Sequence, residues 1–145
     1  MNHNLLALLK FEHQLLKEMV SLAEQQQNHL IKFSAIELEK ISSYQSEISS
    51  NLRLAEEKRI KILMNDLKMS RNQAMNLTMS EIVRNFVSED AAEYKTLQKE
   101  LKYLVNKLQN FNVVNRVLAN RARISVRELL GFFTNGTNQV CNVKI

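Results

Sequence analysis

The chain has 145 residues with no proline, two glycines, one cysteine and a formal net charge of +5, enough for one domain with a moderate core and almost free of helix breakers. A lone cysteine excludes an internal disulfide and fits a reducing compartment. No stretch reaches the roughly 18 uncharged apolar residues of a membrane span, and the opening apolar run is broken at Lys10 and Glu12 before it could act as a signal segment, so a cytoplasmic protein is expected.

The first helix is expected over about 5–31, where Leu5, Leu8, Leu15, Met19 and Leu22 recur at helical spacing with Leu9, Leu16, Val20 and Ala23 beside them. Ser34-Ala35-Ile36-Glu37 reads as a capping box that restarts the chain. The second helix, about 34–66, carries Leu38, Ile41, Gln45, Ile48, Leu52, Ala55, Arg59 and Ile62 in steps of three and four, a heptad seam with polar interruptions at Gln45 and Arg59. Its short link to the first helix predicts an antiparallel hairpin.

Between residues 70 and 87 only short helices are expected, because Ser70-Arg71-Asn72-Gln73 and Thr78-Met79-Ser80-Glu81 are capping boxes eight residues apart. Met64, Met69, Met75 and Met79 supply most of the bulk around the connector, read as Leu67 to Val87, either as an adaptable contact surface or as a cap over the open end of the bundle. Ser88, Glu89 and Asp90 form a further N-cap, opening a long helix over about 89–133. Its seam runs Tyr94, Leu97, Leu101, Leu104, Leu108, Phe111, Asn115, Leu118, Ala122, Ser125, Leu129 and Phe132 without a slip. Thr134-Asn135-Gly136 is expected to end it. The reading is therefore an all-α, elongated antiparallel three-helix bundle: a coiled-coil hairpin plus a long C-terminal helix, as one domain over 1–133, with a mobile tail over 134–145.

No chemistry-bearing constellation emerges. His3, His13 and His29 lie too far apart to offer metal-ligand spacing, Cys141 has no histidine neighbour, and Gly131 and Gly136 are the only glycines, so no phosphate loop exists. Glu56-Glu57-Lys58-Arg59 reads as an exposed ion-paired face. The expectation is a protein without enzymatic activity, metal, cofactor or small-molecule substrate. Charge is uneven: residues 1–66 hold eight Lys/Arg and nine Asp/Glu, residues 67–145 twelve and six.

The stretch Leu108-Gln109-Asn110-Phe111-Asn112-Val113-Val114-Asn115-Arg116-Val117-Leu118 resembles the pattern that recurs in FlgN-type flagellar chaperones, and Leu129-Leu130-Gly131 resembles its ending. The Leu5 to Leu22 stripe, the hairpin, and Glu56-Glu57-Lys58-Arg59 ahead of Ile62-Leu63 are also similar to that family, so the resemblance covers nearly the whole chain. It implies a chaperone that binds helical C-terminal regions of the hook-associated proteins of the hook-filament junction, keeps them unassembled and delivers them to the type III export apparatus. Two features depart from the family's habit: the pI near 9.4, where many members are acidic, and the absence of any tyrosine after Tyr103. Family members often carry a tail tyrosine associated with docking on the cytoplasmic domain of the export gate, so the resemblance carries client binding further than gate docking.

The residues point the same way. Val113, Val117 and Ile124 form a second stripe opposite Phe111, Leu118 and Leu129, and five β-branched residues make this half a weaker helix than the leucine-rich half before it. The candidate partner-binding residues are Asn112, Val113, Asn115, Arg116, Val117, Asn120, Ile124 and Arg127. The competing reading covers that stripe with the first helix or with a second copy. Two other classes stay open: a nucleic-acid binder using Lys95, Lys99, Lys102, Arg116, Arg123 and Arg127 along one flank, and a structural coiled-coil oligomer without a client.

Overall fold

The computed structural model describes residues 2–85 and 91–141. Every described element is helical: α1 (Asn2–Lys32), α2 (Ala35–Leu67), α3 (Arg71–Met75), α4 (Met79–Asn85) and α5 (Ala91–Cys141). The expected Ser88-Glu89-Asp90 cap lies outside the described residues.

Pairings across the helices set their directions. Glu12 meets Arg59 and Gln26 meets Gln45, so α1 and α2 are antiparallel. Lys10 pairs with Glu93, His13 with Glu100, and Asn115 reaches the Ala23 carbonyl, so α5 runs parallel to α1. The result is an up-down-up bundle in which α1 packs against both long neighbours, while α2 and α5 do not pack closely on each other.

The core is a stack along α1. At the lower end Leu5, Leu6 and Leu9 join Ile60, Leu63, Ala74, Ile82, Tyr94 and Leu97. Higher up, Leu15, Met19 and Ile48 form a second cluster, with Leu22, Leu52 and Leu108 against it. Polar groups occupy the levels next to it. Between the clusters Arg59 donates to both oxygens of the buried Glu12, at 2.6 and 2.9 Å. Above the second cluster, Gln26 Oε1 accepts from Gln45 on α2 and from Asn115 on α5, at 3.1 and 3.3 Å. The two polar interruptions read in the α2 seam are thus each matched by a partner on α1. Such layers fix register, since a slip would leave a charge or amide unpaired in the interior.

Arg59 therefore departs from the exposed face expected of Glu56-Glu57-Lys58-Arg59: it turns inward to Glu12, and Glu57 pairs outward with Arg71 at 2.5 Å. Burial holds the Glu12 carboxyl above the usual carboxylate range against the opposing pull of Arg59, and the hydrogen bond from Arg71 holds Glu57 below it.

The connector acts as the cap of the bundle's lower end. Ala74 and Ile82 are buried, and Met64, Met69, Leu77 and Met79 pack against the same cluster, while Met75 stays exposed. Both of its capping boxes form. Ser70 Oγ accepts from the Gln73 amide as Gln73 Oε1 accepts from the Ser70 amide, at 3.3 and 3.0 Å. Thr78 and Glu81 do the same at 3.2 and 2.8 Å, and the Thr78 amide lowers the pKa of Glu81.

The box expected at Ser34 does not form. Helix α2 does restart at Ala35, but the Ser34 side chain makes no capping bond. Its backbone N–H closes α1 by donating to the His29 carbonyl at 3.0 Å, so it is not available to Glu37, which pairs with Lys40 instead. The two-residue link places Phe33 at φ 55°, in the left-handed region that bulky side chains disfavour.

The end of α5 also differs from expectation. The backbone stays helical through Thr134-Asn135-Gly136 to Cys141. Thr134 Oγ1 donates to the Leu130 carbonyl at 2.6 Å, and no described glycine takes a positive φ. Asn-Gly permits a turn without enforcing one; glycine in a helix costs only about 1 kcal/mol against alanine, and no proline follows to stop it.

Candidate functional site

Helix α5 has two environments along one seam. From Tyr94 to Ala122 every seam residue is buried or half-buried. Beyond it Ser125, Leu129 and Phe132 are exposed, the last two to 58% and 72%, although the spacing is unbroken. The cause is the length of the neighbour. Asn115 lies level with Ala23, so the end of α1 at Lys32 is level with about residue 124, and α5 runs on for roughly 25 Å with no described helix beside it.

That overhang carries a broad apolar face. At 100° per residue Val126, Leu129, Leu130 and Phe133 cover the side continuous with the seam, Phe132 one flank and Ile124 the back. All six are exposed, and the Phe132 and Phe133 rings meet edge to face at 5.8 Å. Ile31, Phe33 and Ile36, at the turn where the hairpin stops, are exposed as well. An exposed apolar face on a helix is one that seeks a neighbour.

The eight residues singled out from sequence divide between two faces. Val113, Val117 and Ile124 do form an exposed stripe on the back of α5, away from α1, so α1 does not cover them. Asn115 faces the other way: it is 4% exposed, and its Nδ2 donates to the Ala23 carbonyl at 2.8 Å. Asn112 and Arg116 flank it on the side toward α2 and share with it a cavity of about 440 Å³. Asn120 accepts from Arg123 at 2.8 Å on the exposed surface, and Arg127 is exposed near Ile124. The structure thus brings Asn112, Asn115 and Arg116 together, and separately Val113, Val117 and Ile124.

Sequence reasoning missed the overhang itself, because Leu129 and Phe132 fit the seam and were assigned to it. A signal was available in the lengths: the α5 seam continues to Phe132, whereas the stripe of α1 fades after Ala23. Among the described residues no group of three His, Cys, Asp or Glu could hold a metal ion, and no helix is long and apolar enough to cross a membrane. What the surface offers is apolar area at helical spacing with arginines and asparagines at its edge, the chemistry of protein recognition.

No curated protein and no solved structure matches the chain. The family model described as FlgN protein matches residues 1–143, nearly its whole length. The chain therefore belongs to the FlgN family, whose members serve as flagellar export chaperones.

Proposed function

We propose that this chain acts in the cytosol as an export chaperone that holds helical C-terminal segments of hook-associated proteins on the C-terminal part of α5, keeping them unassembled until they reach the type III export apparatus. The observation that supports this reading most directly is the overhang: a helix end with an apolar face and no neighbour among the described residues. A client helix laid along Val126, Leu129, Leu130 and Phe133 would extend the bundle where α1 stops, and Val113, Val117 and Ile124 offer a second seat on the back of α5. The lone cysteine suits a reducing compartment.

Co-expression with hook-filament junction proteins, followed by native mass measurement, tests the reading. A complex is expected with the wild-type chain, and either Leu129→Ser, Leu130→Ser and Phe133→Ser together, or Val113→Ser, Val117→Ser and Ile124→Ser together, weakens it by about 1 to 3 kcal/mol for each anchor used. The site is wrong if both triple variants bind normally while substitutions at the exposed Met75 of the connector abolish binding.

A further inference from the structure

A cleft lies elsewhere on the molecule, between α2 and α5. Both helices pack on α1 without packing closely on each other, so a trough floored by α1 runs along the bundle. Two cavities mark it. The lower one, about 450 Å³, has Leu9 from α1, Arg59 from α2 and Leu101, Lys102 and Val105 from α5, and is closed from below by α4, held in place where Gln98 donates to Ser80 Oγ at 2.8 Å. The upper one, about 440 Å³, has Met19, Gln45, Leu108, Asn112 and Arg116. A third, on Arg116, Ala119, Asn120 and Arg123, continues the line. Lys102, Val105, Asn112, Arg116, Ala119 and Arg123 are separated by three, four or seven residues, so one flank of α5 forms the whole wall.

The cleft has a definite charge. The α5 wall supplies Lys102, Arg116 and Arg123, and no aspartate or glutamate lines these cavities; Arg59, on the α2 side, is already paired with Glu12 and lies 3.9 Å from Glu56. The acids of α5 that come nearest to the bundle are turned away from it: Glu93 pairs with Lys10 and Glu100 with His13, on the other side of the helix. Lys102 and Arg116 make no ion pair among the described residues.

We propose that this cleft binds an acidic amphipathic helix of a protein partner, as the fourth member of the bundle. Two helices that flank a third without meeting leave the space a fourth helix fills. The walls are side chains with no strand edge, so an extended peptide would bury backbone N–H and C=O groups without partners, whereas a helix satisfies its own. Lys102 and Arg116 are fourteen residues apart, two heptads, which sets two cations on one face about 21 Å apart. The complementary helix carries carboxylates at the same separation and small or apolar residues toward Val105 and Ala119. This site is distinct from the overhang, and a chain could hold a client there while the cleft is filled.

The probe is a synthetic helical peptide of about 22 residues, with alanine and leucine on one face and two glutamates fourteen positions apart, labelled at its N-terminus and titrated by fluorescence anisotropy against the full chain. Saturable binding is expected, weakened roughly tenfold or more in Lys102→Glu with Arg116→Glu and regained when the two peptide glutamates are replaced by lysine. Both substituted side chains are exposed, and circular dichroism of the double variant checks that the bundle is intact. Leu129→Ser, Leu130→Ser and Phe133→Ser leave this binding unchanged if the cleft is separate from the client surface. The proposal is overturned by absence of binding to the wild-type chain, by binding indifferent to the charge reversal, by loss in the overhang variant alone, or by a single-stranded RNA of similar length displacing the peptide from the same residues.

Discussion

The lower and upper halves of α5 share one heptad seam and differ in everything that seam does. Tyr94, Leu97 and Leu104 are buried against α1, whereas Leu129 and Phe132 stand in the open. The residue types are similar, so the difference comes from the neighbour: α1 ends at Lys32 and the seam does not. Periodicity selects the face of a helix that seeks burial, and the length of the opposing element decides whether burial is met within the chain.

The sharpest way to break this comparison is to make the same deletion in both halves. Leu9→Ala removes a side chain from the lower cluster and is expected to cost about 2 to 5 kcal/mol in urea unfolding, whereas Leu129→Ala should leave the free chain within about 0.5 kcal/mol. Equal costs would mean that the upper seam is covered after all.

Next in size is the charged layer between the two core clusters. Arg59→Met leaves Glu12 buried without its counter-ion and is expected to destabilise the chain by about 3 kcal/mol near neutral pH. Because burial raises the Glu12 pKa, the folded chain holds more protons there than the unfolded chain, between the unfolded value and the raised one. This carboxyl's contribution to stability is greatest below that window and falls as pH rises through it. Removing Arg59 lifts the folded value further, so the deficit of the variant should shrink on acidification; urea midpoints from pH 7.5 down to 5 measure this. Adding Glu12→Gln should restore most of the loss.

The smallest expected effect is at the turn that ends α1. Phe33→Gly relieves a left-handed backbone angle at an exposed position and is expected to stabilise the free chain by about 1 kcal/mol in thermal unfolding. A client that also touches the hairpin tip would lose affinity in the same variant.

These particulars show where the sequence could be read and where it could not. The helices, their order and the lower seam were legible because spacing reports them directly. Ser34 was misread because its cap depends on a backbone N–H that the preceding helix also needs, and only the geometry of a two-residue link shows which claim wins. Arg59 was read both as a polar step of the α2 seam, which holds, and as part of an exposed charged face, which does not; that it meets Glu12 depends on the hairpin offset, the same offset that matches Gln26 with Gln45. The exposed apolar stripe on the C-terminal part of α5 was legible from its spacing. The division of the candidate residues into a polar cleft at Asn112, Asn115 and Arg116 and an exposed stripe at Val113, Val117 and Ile124 required knowing which way Asn115 points.

The central claim is that the upper seam of α5 is vacant in the free chain and covered by a client. Hydrogen exchange measured on the free protein and on its complex with a hook-filament junction protein tests it most directly. An isolated helix end without packing opens readily, so amides of 126–133 should exchange far faster than those of 97–108 in the free chain and become strongly protected in the complex. Equal protection of the two segments in the free chain at low concentration, or no gain at 126–133 when the client is bound, would contradict it.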